Sequence, residues 1–334
     1  MQSLEFSQEQ IGKVDPRYLI PLVVILGPTG VGKSEIAIQL AERFNGEIVS
    51  ADSRLFYRGM DIGTAKPTTE ERLRVPHHLI DVANPDEIWS LGIFQREANH
   101  IIQEIYNNRH LPFLVGGTGQ FLHSIIEGWS IPAAKPDPRL REVLTQWADS
   151  FGPVELHHKL AIIDPQAAIV IDPSNQRRTI RALEVIFLTG KRFSEQKKHG
   201  HHLYNPLVLG LTCPRPELYQ RIDERISRMI NSGFVNEVQR LLDHGYSPEL
   251  PTLSAIGYGE IVAYIQGKMS LEEAISSMKR RTRIFVRRQA NWFKENDPQI
   301  HWFPTGKAAL NDIGEMIEKW LFTMNWISHH ATSQ

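Results

Sequence analysis

Cysteine is nearly absent: Cys213 stands alone in 334 residues. A single thiol excludes an internal disulfide and any zinc site built on several cysteines, and it points to a reducing, cytoplasmic setting. No apolar run approaches the roughly 20 residues that a membrane-spanning helix needs. The start of the chain, MQSLEFSQEQIGKVDPRYLI, lacks the apolar core of a secretory signal and reads as a short polar lead-in. Internal repeats and low-complexity tracts are missing as well. Acidic residues are absent from one notable place, 279–294, KRRTRIFVRRQANWFK, which holds seven Lys/Arg. The net charge of −1 hides this asymmetry, because the rest of the chain carries 30 basic against 38 acidic residues, a balance of −8. An acidic body with one cationic segment suggests a localised anionic partner.

What remains is the composition of a globular protein, 41% hydrophobic and 22% charged, long enough for one large domain or two ordinary ones. Residues 19–26, LIPLVVIL, form a continuous apolar run like a buried parallel strand. Ile36, Ala37, Leu40, Ala41 and Phe44 then recur at helical spacing, with Asn45-Gly46 as a stop. EIVSAD, HHLIDV (77–82), LPFLVGG (111–117) and PLVLGLTC (206–213) are further strand candidates, and SLGIFQREANHIIQEIYNNRH between the second and third of these is helical in pattern. Strands alternating with helices predict a doubly wound parallel sheet. From about Pro132 helix-like segments follow one another, several opening at Asp-Pro, a favourable start because proline suits the first helical turn. KRFSEQKKHGHHLYN is polar and predicts a loop. The expected organisation is a polar lead-in at 1–18, an α/β core at 19–130 and 204–320 with C-terminal helices, a helical insertion domain at 131–203 and a tail at 321–334.

Gly27-Pro28-Thr29-Gly30-Val31-Gly32-Lys33-Ser34 matches G-x-x-x-x-G-K-[ST] between a strand and a helix, which makes the core P-loop NTPase-like. Glycines let successive backbone N–H groups turn around an anion, and the helix start adds its positive dipole end. Lys33 supplies a full charge, and the Ser34 hydroxyl can ligate Mg²⁺. The loop announces phosphate and is silent on the substrate. Asp52, after the second strand, reads either as a base or metal ligand at the carboxyl edge of the sheet, or as a helix N-cap. Thr118, in the second glycine-rich turn GGTGQF, reads either as a phosphate donor or as a cap.

GPTGVGKS, VSADSRLFYRGMDIGTAKP, PHHLID, LVGGTG, RALEV, INSGFVNEV, AIGYGE and KRRTRIFVRRQANWF occur in this order from residue 27 to 293. Together they resemble the tRNA dimethylallyltransferases (tRNA isopentenyltransferases) of bacterial type. The resemblance implies a prenyltransferase of the EC 2.5.1 class, using Mg²⁺ to transfer a dimethylallyl group from dimethylallyl diphosphate to N6 of the adenine 3′ of the anticodon. The phosphates would then be a leaving group. The implied roles are Asp52 as the base on the adenine amine, and Lys33, Thr118 and the loop 27–34 around the diphosphate. Arg225 is a candidate for the same cluster or a solvated cation on an amphipathic helix. Ser53, Arg54 and position 55 would line the adenine side; many relatives carry Gln at the last of these, and here it is Leu55.

An adenine stacked in an anticodon loop must be extruded to reach such a site, and single-stranded RNA is held by stacking and by cations along its phosphates. At about 100° per residue, Arg280, Arg283, Arg287 and Lys294 fall within about 60° of one another, opposite a stripe of Ile275, Met278, Phe285 and Trp292. One face would pack on the protein and the other meet phosphate. SNQRRTIRALEV is a second cationic helix start; the family pattern has Asp where Asn175 stands, while Arg178 and Arg181 remain. Arg141 in DPRLR and Tyr258 in LSAIGY complete the expected tRNA-binding set, Tyr258 reading either as an aromatic contact or as a buried tyrosine with no such role. HGHH (199–202) lies among lysines without cysteine or carboxylate partners, so metal binding there is not expected, and His77-His78 and His157-His158 read as structural or surface residues. The expected partners are a tRNA anticodon stem-loop and dimethylallyl diphosphate, with no membrane, and the expected state is a monomer. The rival readings are an adenylate isopentenyltransferase acting on free AMP, a P-loop nucleoside or nucleotide kinase, and an RNA-binding module with a vestigial loop.

Overall fold

The computed structural model describes residues 19–132, 137–196, 203–324 and 326. The lead-in 1–18, the histidine cluster 199–202 and nearly all of the tail beyond 324 lie outside the described residues. Two compact units are present, one of residues 127–201 and one from the remainder.

The larger unit is built on six strands: β1 (Ile20–Leu26), β2 (Gly46–Ser50), β3 (His77–His78), β4 (Leu111–Gly116), β5 (Tyr204–Thr212) and β6 (Ile300–Pro304). All pair in parallel, in the order β3-β2-β4-β1-β5-β6. β1 is central, and its residues from Pro21 onward are buried, as the unbroken apolar run requires. Helix α1 (Lys33–Arg43) carries the chain from β1 to β2 and leaves a gap that β4 fills. The loops leaving β1 and β4 therefore meet at the carboxyl edge of the sheet, where ligands bind in such folds. Helices α2 (Thr69–Arg74), α3 (Leu91–Asn107) and α4 (Gly119–Ile126) join the strands on this side of the chain.

Only His77–His78 of the expected strand 77–82 is extended. Leu79 and Asp81 have φ of 58° and 57°, which ends the strand, and the Asp81 carboxylate meets Lys66 at 2.5 Å and Arg72 at 2.9 Å. The sequence reading also passed over β6. Its Trp302 packs on Gly210 of β5, where a Cβ would come within 2.5 Å of the indole.

The smaller unit holds α5 (Pro138–Phe151), α6 (Pro153–Ile163), α7 (Pro165–Val170), α8 (Gln176–Thr189) and α9 (Phe193–Gln196). Leu144, Leu156, Leu160 and Leu183 pack in its own core. Both Asp-Pro starts work as read: Asp137 accepts from the amides of Arg139 and Leu140, and buried Asp164 from that of Ala167. Asp164 also receives the amide and hydroxyl of Ser194. That bond turns part of the expected loop into α9.

Helices α10 (Arg215–Asn231), α11 (Phe234–Asp243), α12 (Tyr258–Ile265), α13 (Leu271–Gln289) and α14 (Lys307–Thr323) complete the larger unit. The cationic helix ends at Gln289, so Trp292 and Lys294 are not on its wheel. Its buried face carries Ala274, Met278, Val286 and Gln289, while Phe285 is 39% exposed. No helix among the described residues is long and apolar enough to cross a membrane.

Candidate active site

The phosphate loop departs from β1 through Gly27, whose φ of 150° lets it pass Leu211 O, to which a Cβ would come within 2.7 Å. Gly30 and Gly32 have φ of 85° and 99°, the left-handed region that glycine enters at little cost. Gly32 caps α1 without any side-chain hydrogen bond, so the first amides of the helix stay open to an anion. The Val31 side chain is buried and fixes the loop from below. Lys33 Nζ donates to Gly27 O and Pro28 O, both at 2.9 Å, and so lies folded over the loop.

Burial lowers the Lys33 amine from its ordinary 10.5 to about 8; Asp52 raises it in part and Arg225 lowers it further. A polyanion seated there restores the charged form, so binding above pH 8 takes up a proton at this amine. Calorimetry of inorganic diphosphate at about pH 8.5, in buffers of differing ionisation heat, is expected to show a proton uptake that Lys33→Met loses. Identical buffer dependence in the two proteins would deny Lys33 a part in holding the anion.

Asp52 follows β2 and faces the loop electrostatically, acting on both Lys33 and Arg225. Its Oδ1 accepts from the Arg54 amide at 3.0 Å, closing a tight turn, and Oδ2 has no hydrogen-bond partner among the described residues. No helix starts here, so the N-cap alternative falls. Ser53 and Leu55 are half-buried beside Asp52, and Arg54 is exposed. The Ser53 amide reaches Thr118 Oγ1 at 3.5 Å, which joins the turns after β2 and β4. Arg225 on α10 is half-buried and donates to Thr64 O at 3.0 Å. Burial lowers its pKa and Asp52 raises it, which disposes of the solvated-cation alternative.

Two residues that the sequence reading did not single out hold this arrangement together. Gln289 is 6% exposed; its Oε1 accepts from the Thr29 amide at 3.0 Å, and its Nε2 donates to Gly117 O at 2.9 Å. Glu237 is 2% exposed and accepts from the amides of Asp61, Ile62 and Gly63 and from the Tyr258 hydroxyl. The only sequence trace of Gln289 is one neutral amide after a run of cations, and Glu237 has none beyond its place on an amphipathic helix.

The remaining expected contacts divide. Tyr258 is corrected: it is 1% exposed, bonded to Glu237 at 2.6 Å and packed edge-on against Phe234, so it offers no aromatic surface to a ligand. On α13, Arg280 and Arg287 are exposed, and with Lys279, Arg283 and Ser276 they line a cleft of 360 Å³. The helix has acidic neighbours after all, from other elements: Asp223 of α10 holds Arg283 at 2.6 Å, and Glu260 of α12 holds Arg281 at 2.7 Å. In the smaller unit Arg141 and Arg181 both bond Glu184 at 2.7 Å, while Arg178 is exposed and its amide is capped by Asn175 at 3.1 Å. Asparagine thus performs the capping that an aspartate would.

The donor set also bears on Mg²⁺. No group of three or more His, Cys, Asp or Glu among the described residues could hold a metal ion. The Ser34 hydroxyl, exposed at the first turn of α1, offers a single hard oxygen. That suits an ion which keeps its waters and binds chiefly through substrate phosphates.

The family model described as IPP transferase matches residues 55–296. A tRNA dimethylallyltransferase of Roseiflexus sp. (strain RS-1) is 47% identical over 304 residues, covering 91% of this chain and 99% of the relative. The chain belongs to the IPP transferase family. A second relative of the same name, from Thermomicrobium roseum, is 50% identical over 300 residues, covering 90% of this chain and 91% of its own length. Among solved structures, the full-length tRNA isopentenylpyrophosphate transferase of Bacillus halodurans is similar at 41% identity and a TM-score of 0.68, covering 93% of this chain and 99% of that one. A eukaryotic dimethylallyltransferase acting on tRNA is similar at 29% identity and a TM-score of 0.77, with 93% and 80% covered. The IPP transferase match begins at residue 55, so the loop 27–34 and Asp52 precede it and rest on their own geometry.

Proposed function

We propose that this chain transfers a dimethylallyl group from dimethylallyl diphosphate to N6 of the adenine 3′ of a tRNA anticodon, releasing diphosphate. The observation that carries the reading is that Asp52 acts electrostatically on both Lys33 and Arg225 beside the phosphate loop, while its turn is tied to Thr118 through the Ser53 amide. Cations and open amides on one side suit a leaving diphosphate; a carboxylate with one unclaimed oxygen suits an amine. The names and similarity of the relatives support the same reading.

In the reaction the allylic C–O bond breaks and both its electrons leave with the diphosphate. Lys33, Arg225 and the loop amides stabilise that growing negative charge, a preorganised term of the kind that dominates many enzymes. The N6 lone pair forms the new C–N bond, and Asp52 takes one N6 proton, which keeps the nucleophile neutral as it attacks. Thr118 steadies the Asp52 turn through the Ser53 amide. Mg²⁺, with Ser34 as its protein ligand, would supply further positive charge to the diphosphate oxygens. Arg280 and Arg287 follow RNA phosphates, and Arg178 supplies a further exposed cation in the smaller unit.

A kinase on the same loop would instead move phosphate from ATP, and an enzyme for free AMP would need no cationic helix. Nucleoside analysis of an unmodified anticodon stem-loop, treated with the protein, Mg²⁺ and dimethylallyl diphosphate, is expected to yield N6-dimethylallyl adenosine; phosphoryl transfer from ATP without prenylation would overturn the proposal. The α13 cations separate in a salt titration. Arg280→Ala with Arg287→Ala is expected to flatten the slope of log K against log salt by about 1.4, at about 0.7 per single-strand phosphate contact. Arg283→Ala alone should change it far less, because Asp223 already neutralises that cation. Equal changes from Arg283 and Arg287 would refute this division.

A further inference from the structure

The geometry points to Gln289 as the positioning residue of the diphosphate-binding loop, an inference that rests on the proposed donor chemistry for its substrate. The carboxamide stands between two turns that the sheet brings side by side, after β1 and after β4. One carbonyl and one amide are all it has, and both are used: Oε1 on the Thr29 amide, Nε2 on Gly117 O. The bond to Gly117 O is buried and the bond to the Thr29 amide half-buried, so breaking them leaves polar groups that solvent compensates only in part.

The surroundings are shaped for this side chain. A Cβ on Gly117 would come within 2.5 Å of Gln289 Nε2, and a Cβ on Gly119 within 2.2 Å of Trp292. The glycines of GGTG thus admit the end of the cationic helix to the phosphate loop. Thr29 is the third residue of that loop, and its amide is committed to Gln289. The amides of Gly30, Gly32, Lys33 and Ser34 make no hydrogen bond to protein among the described residues. Fixing Thr29 therefore sets the curvature from which the open amides approach an anion. Without the carboxamide the loop loses its only side-chain brace to the neighbouring turn among the described residues, and diphosphate binding must restore that order at its own cost.

Gln289→Met keeps the volume of the side chain and removes both hydrogen bonds. Its dissociation constant for inorganic diphosphate with Mg²⁺, read by calorimetry, is expected to rise about tenfold. The donor KM should rise by the same factor, with kcat within about threefold and stem-loop affinity within about twofold of the parent. Hydrogen exchange at the Thr29 amide should quicken in parallel, a readout that packing at the helix end would not move. Gly117→Ala attacks the same carboxamide from the other side of the contact, its Cβ 2.5 Å from Gln289 Nε2 against 3.3 Å from Gly27 O and 3.6 Å from Lys33 Nζ, and should reproduce the effect, so it decides the matter if the methionine variant does not fold. A folded variant that binds diphosphate as the parent does would overturn the assignment. Prenyl transfer by the parent is measured alongside: its absence would defeat the proposed reaction and leave the diphosphate comparison standing as the test of Gln289.

Discussion

Asp52→Asn lowers the rate of prenyl transfer by about 10²–10⁴, the range in which a positioned base contributes, and leaves both substrates bound. Asparagine keeps the shape of the side chain and the oxygen that receives the Arg54 amide, so the turn after β2 survives. What disappears is the capacity to accept a proton from N6, together with the negative charge beside Lys33 and Arg225. That second loss has a sign of its own. Asp52 raises the Lys33 pKa, so removing it lowers the amine further, while repulsion between the carboxylate and an arriving diphosphate also vanishes. Diphosphate affinity at about pH 6, well below the parent amine's pKa of about 8, should therefore hold or rise as kcat collapses. A structural role for Asp52 would lower affinity and rate together and would shift the melting temperature. Single-turnover transfer with saturating stem-loop separates the two, and turnover equal to the parent's would remove Asp52 as the base.

The parts of the molecule that were legible in the sequence are those whose residues are neighbours along the chain. The run LIPLVVIL, the glycines of 27–34 and the helical spacing from Ile36 to Phe44 state a strand, a loop and a helix locally, and β1 and α1 follow them. Parallel pairing follows from the strand–helix alternation. Asp52 and Arg225 stood open between two readings because each depends on what lies opposite: the loop for one, the carbonyl of Thr64 for the other. Gln289 and Glu237 were not legible at all. Gln289 serves an amide 260 residues away and Glu237 amides about 175 residues away, and no local pattern announces a side chain that bonds distant backbone. The α13 wheel holds for Met278 but not for Phe285, which falls between buried Ala274 and Met278 and is nevertheless 39% exposed, while the polar Gln289 takes a place on the inward face.

Glu237→Ala is expected to destabilise the protein by about 4 kcal/mol or more, near the upper end of single substitutions. The carboxylate, itself 2% exposed, gathers four donors, the amides of Asp61 at 3.0 Å, Ile62 at 2.7 Å and Gly63 at 3.1 Å and the Tyr258 hydroxyl at 2.6 Å. Alanine orphans all four, each at about 1–3 kcal/mol less whatever relaxation recovers. Glutamine is the informative control. Two donors point at each carboxylate oxygen, so an amide nitrogen must face donors in either orientation. The lesser conflict sets it against Gly63 and Tyr258, where the hydroxyl can turn and accept, leaving one unmatched amide at about 1–3 kcal/mol. Tyr258→Phe removes a single donor from a carboxylate that keeps three, and should cost about 1 kcal/mol. The order Ala, Gln, Phe in chemical denaturation tests whether the three amides or the phenol dominate; Tyr258→Phe as damaging as Glu237→Ala would place the weight on the phenol. The same loss reaches the active site, because residues 61–63 lead directly into Thr64, whose carbonyl holds Arg225. Folded Glu237→Gln should therefore show weaker diphosphate binding while Asp52, held by its own turn, keeps its geometry.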